Sequence, residues 1–201
     1  MTTGKNRLEA FSDGMFAIIL TVLVLELKVP QLADSSFPTF LAAMGEIAPK
    51  LLSFLFSFFI LAIFWVNHHH LVHAIQKVDA KLLWLNMFLL FFACLFPFLT
   101  AFIGDYPLNS WVVALFPLNM AMSSVVLRAF WKHAFVDSNL APNTLTAAEK
   151  KARLRQETIA ALVNLVSAAL AFVWVPITLA IMIVMPFLFV VPELIRNKSE
   201  E

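Results

Sequence analysis

The sequence predicts an all-helical, polytopic membrane protein, and three observations lead there. Hydrophobic residues fill 61% of the 201 positions, 21 of them Phe, and the mean hydropathy is +0.86. Charged residues make up only 13%, against roughly 25% in a soluble domain. The apolar residues also fall in long runs, each near the roughly 20 residues that cross a hydrocarbon core. Such a chain cannot build a water-soluble surface, which excludes a soluble enzyme, a nucleic-acid reader and a disordered tail. The net charge of +1 argues against a polyanionic partner. Lone Cys94 excludes an internal disulfide framework.

The first apolar run, Met15 to Leu25, is entered through Arg7-Leu8-Glu9-Ala10-Phe11-Ser12-Asp13-Gly14. A signal peptide needs a small-residue cleavage site after its apolar core, and none follows here. The run is therefore expected as a retained first helix over about 7–27, closed by Lys28-Val29-Pro30. Before the second span, Ser36-Phe37-Pro38 reads as the capped start of a short amphipathic helix, Thr39 to Met44, on the outer surface. The second span covers about 47–70 and ends on Asn67-His68-His69-His70. The third, 82–103, and the fourth, 108–131, are separated by a tight turn at Gly104-Asp105-Tyr106-Pro107.

The stretch from Ile159 to Val191 would be about 50 Å long as one helix, too long for a core of about 30 Å. Pro176 lies near its middle and breaks it. Two spans result, about 155–175 and 177–195. Between the fourth and fifth spans, His133 to Arg155 is polar, with Pro142-Asn143, Thr146 as a cap, and a basic run suited to anionic lipid. Six spans with both termini cytoplasmic put all of the 14 Lys and Arg inside except Lys28 and Lys50. An unbroken fifth helix would strand Arg196 and Lys198 outside, against the positive-inside rule. The chain reads as one six-helix domain over 1–201, without internal repeats.

Asp13 is the first chemical question. A carboxylate at the edge of a span costs a few kcal/mol and marks a functional site by default. Its i−4 neighbour Glu9 has like charge, and Arg7 lies about 120° round the helix. Asp13 therefore needs water or a partner from another helix. The polar end of the second helix offers one, because Trp65, His69 and His73 share a face at i, i+4, i+8. His69 and His73 have the spacing of two zinc ligands, but a third is missing, so hydrogen-bonding histidines at a helix end are the simpler expectation. No nucleophile elbow, paired carboxylates, metalloprotease motif or phosphate loop occurs, so neither an enzyme nor a cofactor is expected. Ser53, Ser57, Ser123 and Ser124 read as helix-packing or back-bonding hydroxyls. Voltage-sensing Arg repeats and a T-V-G-Y-G filter are absent too.

Arg7-x-x-x-Phe11-Ser12-Asp13, followed by Gly14 and a hydrophobic helix, resembles the signature of the transmembrane protein 175 potassium channel family. Trp65-Val66-Asn67-His68-His69 looks like its companion motif on the second helix. The resemblance covers essentially the whole chain, and its single signature copy resembles the bacterial members. It implies a homotetrameric, potassium-permeable channel in the bacterial inner membrane, its pore lined by the first helix of each subunit. It implies a motif network of Arg7, Phe11, Ser12, Asp13, Trp65, Asn67, His68 and His69. It also implies an apolar constriction at Ile18, Val22 and Leu25, flanked by Thr21, in place of a carbonyl filter. By spacing alone those residues are a packing stripe. The alternative is a proton- or ion-coupled secondary transporter using Asp13 and the His68–His73 cluster, although such carriers usually have helices broken at the midplane.

Overall fold

The computed structural model describes residues 3–138, 140–142 and 145–185, and every regular element among them is helical. Helix α1 is Thr3–Val22 and tightens into a 3₁₀ turn over Leu23–Glu26. Then come α2 (Phe37–His73), α3 (Ala80–Cys94), α4 (Phe96–Asp105) and α5 (Ser110–Lys132), whose end widens into a π turn over His133–Asp137. Helix α6 is Ala147–Leu170, and α7 is described over Val175–Met185. Among the described residues, four segments are long and apolar enough to cross a membrane: Gly4–Glu26, Phe37–His73, Ala80–Asp105 and Ser110–Asp137. The sixth span expected at 177–195 lies outside the described residues beyond Met185, as do Arg196 and Lys198.

Each start has a local cause. Ser36, Asp79, Asn109 and Thr146 are N-caps, each accepting a backbone N–H two or three residues on. Thr146 and Glu149 complete a capping box. Where two elements were expected between Thr39 and His70, the structure has one: α2 runs unbroken through Pro49. That Pro removes a single N–H from the ladder, and the good helix formers on both sides carry the helix across. Its 37 residues amount to about 55 Å, far more than a hydrocarbon core of about 30 Å. The third apolar run is divided instead, at Leu95, because Pro97 near the start of α4 denies α3 a donor to continue. The last break comes at Ala171–Trp174, with Pro176 in the first turn of α7.

Lipid is as apolar as Leu, so close packing and interhelical hydrogen bonds hold such helices together. Phe16, Leu23, Leu61, Phe96 and Phe116 form the centre of the larger core, and Leu82 and Phe130 anchor a second core at one end. Gly104 lets α4 approach α2 closely; a Cβ there would stand 3.1 Å from Lys50 Cα. Beside it Lys50 pairs with Asp105. Thr100 Oγ1 lies 2.6 Å from Ser57 Oγ, Asn119 donates to the Phe92 carbonyl, and Thr178 donates to the Ser167 carbonyl. Ser53 and Ser123 bond back to carbonyls of their own helices.

Candidate functional site

Helices α1 and α2 pack antiparallel, which brings the start of one to the end of the other. Lys5 Nζ donates to the His73 carbonyl, and Glu9 lies 3.7 Å from His73 Nδ1. One turn further, Trp65 Nε1 donates to Asp13 Oδ1 at 2.8 Å. His69 Nδ1 stands 4.0 Å from that oxygen, too far for a hydrogen bond. Its ring packs on Trp65 and stacks parallel on His73. The two histidines line up along the helix rather than converge, and among the described residues no three ligating side chains gather for a metal.

Deeper in the bundle a second chain of bonds links three helices. Ser12 is fully buried; its hydroxyl donates to the Leu8 carbonyl and accepts from Asn86 Nδ2. Asn86 Oδ1 in turn accepts from His68 Nε2 at 2.8 Å. That bond requires a proton on Nε2, so it selects the tautomer of the ring. Phe16 and Phe130 pack on the His68 imidazole from α1 and α5. Desolvation makes each of these bonds stronger and each unpaired group costlier.

The motif residues therefore divide. Ser12, Asp13, Trp65 and His68 are bonded across helices, and His69 packs against them. Arg7 and Phe11 are exposed and make no cross-helix hydrogen bond or ion pair among the described residues. Asn67 turns away into a cleft among α2, α5 and α6, shared with Arg153 and Glu157 of α6. Asn86, the centre of the buried chain, escapes motif reading. Its signal was available: it is the lone amide in the apolar run Leu82 to Leu95, where a polar side chain needs a partner.

One face of α1 has no partner among the described residues of the subunit. Arg7, Phe11, Gly14, Ile18, Thr21 and Leu25 are all exposed, at alternating steps of four and three. This is the 3.5-residue period of a seam between helices. Ile18 is 60% exposed and Leu25 72%, whereas Ile19 is 4% exposed within the core. Val22 lies at the edge of the seam, half-buried. The Thr21 hydroxyl donates to the Ala17 and Ile18 carbonyls of its own helix, which leaves its oxygen lone pairs for the seam.

Comparison with known proteins adds a family. Residues 7–97 match the family described as endosomal/lysosomal potassium channel TMEM175. A potassium channel of Chryseobacterium sp. (strain P1-3) is 44% identical over 121 residues, a stretch that spans 60% of this chain and 60% of that protein. A potassium channel of Streptomyces collinus is 32% identical over 180 residues, covering 88% of this chain and 86% of the relative. The crystal structure of a lysosomal potassium-selective channel TMEM175 homolog from Chamaesiphon minutus superposes with a TM-score of 0.82. It is 29% identical, covering 94% of this chain and 98% of that one.

Proposed function

The chain belongs to the TMEM175 potassium channel family, and from that premise we propose a multi-pass, potassium-permeable cation channel built from four copies. In this reading the six spans leave both termini in the cytoplasm of a bacterium, and α1 of each subunit faces the central axis. The observation that carries it is the unpartnered seam of α1, with Ile18 at its middle. Four copies of that face enclose an axis, and four Ile18 side chains narrow it to an apolar ring.

Such a ring resists wetting, so it acts as a gate and as a filter at once. An ion crosses by shedding water, and potassium gives up its shell more readily than sodium. The Thr21 oxygens, one turn beyond Ile18, offer partial compensation on the far side. Val22 and Leu25 prolong the apolar stretch; within the 3₁₀ turn residues three apart eclipse, which keeps Leu25 near the line of Val22. The network of Ser12, Asp13, Trp65, His68 and Asn86 holds α1 at a fixed rotation, so that Ile18 rather than Ile19 faces the axis. The unbroken course of α1 favours a channel over a carrier with helices broken at the midplane.

Single-channel recording in planar bilayers tests this reading. Ile18→Asn replaces hydrocarbon with groups that bind water and cations, so conductance should rise and potassium preference weaken. Ile19→Asn adds the same amide about 100° round the helix, within the core, and should lower yield without raising current per channel. Equal conductance in wild type and Ile18→Asn returns the seam to a packing role.

A further inference from the structure

Helices α5 and α6 meet at the end of the bundle that also holds the start of α1 and the end of α2. An open cleft of about 450 Å³ lies between them. Its walls carry four cationic side chains, Arg128 from α5 and Lys150, Lys151 and Arg155 from α6, with Val136 and Leu154 between them. Arg128 is half-buried and fixed, since its Nε donates to Thr158 Oγ1 at 2.9 Å. Lys151 and Arg155 are exposed and make no ion pair or hydrogen bond among the described residues. The nearby carboxylates are engaged elsewhere: Glu149 caps its own helix, Asp137 pairs with Lys132, and Glu157 lies 3.5 Å from Arg153 on another face of α6. The cleft is thus positive and not neutralised by those acids.

The surface that leads away from it is apolar. Along α6, Ile159, Leu162 and Val166 follow Arg155 at helical spacing, and each is at least 45% exposed. Along α5, Val125 and Met122 precede Arg128 by three and six residues and are also exposed. A fixed cationic cleft at the head of two apolar stripes matches a molecule with an anionic phosphate head and hydrocarbon tails. We propose that this cleft binds an anionic phospholipid, with its phosphate among Arg128, Lys151 and Arg155 and its acyl chains along Val125, Ile159 and Leu162. Basic pockets between membrane helices take up anionic headgroups in this way. The inference needs the membrane reading of the chain, but not α1 as the pore helix.

Native mass spectrometry of the delipidated, full-length protein tests it, with phosphatidylglycerol and phosphatidylcholine as probes. Wild type should retain phosphatidylglycerol in preference to phosphatidylcholine. Lys151→Gln with Arg155→Gln should weaken phosphatidylglycerol roughly thirtyfold, the loss for two cations near an anionic surface, and leave phosphatidylcholine unchanged. Lys77→Gln with Lys81→Gln removes the same charge from exposed sites outside the cleft and should change neither. Equal losses in both double variants would mean diffuse charge attraction and would overturn the site. Displacement of the lipid by excess inorganic phosphate would assign the cleft to free phosphate instead. No preference in wild type overturns the proposal, whereas a failed Ile18→Asn experiment leaves it standing.

Discussion

A single buried amide joins three helices here. Asn86 has no exposed surface, and its side chain satisfies both Ser12 and His68. Its removal leaves the His68 N–H and one lone pair of Ser12 without partners inside the bundle. An unsatisfied buried polar group costs about 1–3 kcal/mol, so Asn86→Ala should unfold at markedly lower temperature in detergent. Ser12→Ala alone should cost less, because its lost hydroxyl frees only one Asn86 hydrogen. The two changes act on one chain of bonds, so the double variant should fall short of the sum of the single losses. Strict additivity in thermal unfolding would show that Asn86 acts independently of Ser12.

Helix starts carry charge at the same end of the molecule. Asp79 caps α3 through the Leu82 N–H at 2.8 Å and also holds His133 Nε2 at 2.8 Å. Burial pushes the Asp79 carboxyl up, but the Leu82 amide, the His133 ring and the Lys81 charge outweigh it and leave the group below the usual carboxylate range. A carboxylate with a depressed folded pKa stabilises above its unfolded value of about 4 and loses that contribution as pH falls through the folded value. Asn caps a helix about as well as Asp, so Asp79→Asn isolates the charge. The gap in unfolding temperature between wild type and Asp79→Asn should hold from pH 8 down to about pH 5 and close below about pH 4. A gap that persists at full size well below pH 4 would contradict the assignment. Asp79→Ala, which loses the cap as well, should cost roughly 1 kcal/mol more.

For the whole molecule, sidedness and assembly are measurable together. Exposed Lys77 and Gln31 sit at opposite ends of the bundle, beyond α2 and α1 respectively. On a Cys94→Ala background, Lys77→Cys should react only with reagents that reach the cytoplasm, and Gln31→Cys with impermeant reagents from outside. The reverse pattern would invert the orientation that positive residues predict. Phe11→Cys or Ile18→Cys, on the seam of α1, should form disulfide-linked dimers between neighbouring subunits on mild oxidation. Ile19→Cys, turned into the subunit's own core, should not. Linking at Ile19 alone would place a different face of α1 between subunits.

Composition and periodicity by themselves determined the solvent of this protein, its helical class and a few of its helix starts. Those properties follow from local chemistry: apolar runs of span length, capping side chains at Ser36 and Thr146, and a break near Pro176. The motif residues Asp13 and Trp65 were legible because a charge at a span edge needs a partner and few polar groups were within reach. Tertiary structure decided the rest. Whether Pro49 ends a helix depends on what holds the segments on either side, and α2 passes through it. Which amide completes the network depends on the rotation of α3 against α1 and α2, and that rotation selects Asn86. Adjacent Ile18 and Ile19 are the same residue type, yet packing buries one at 4% exposure and leaves the other at 60%. A sequence lists side chains in order; only the packed bundle assigns each a direction.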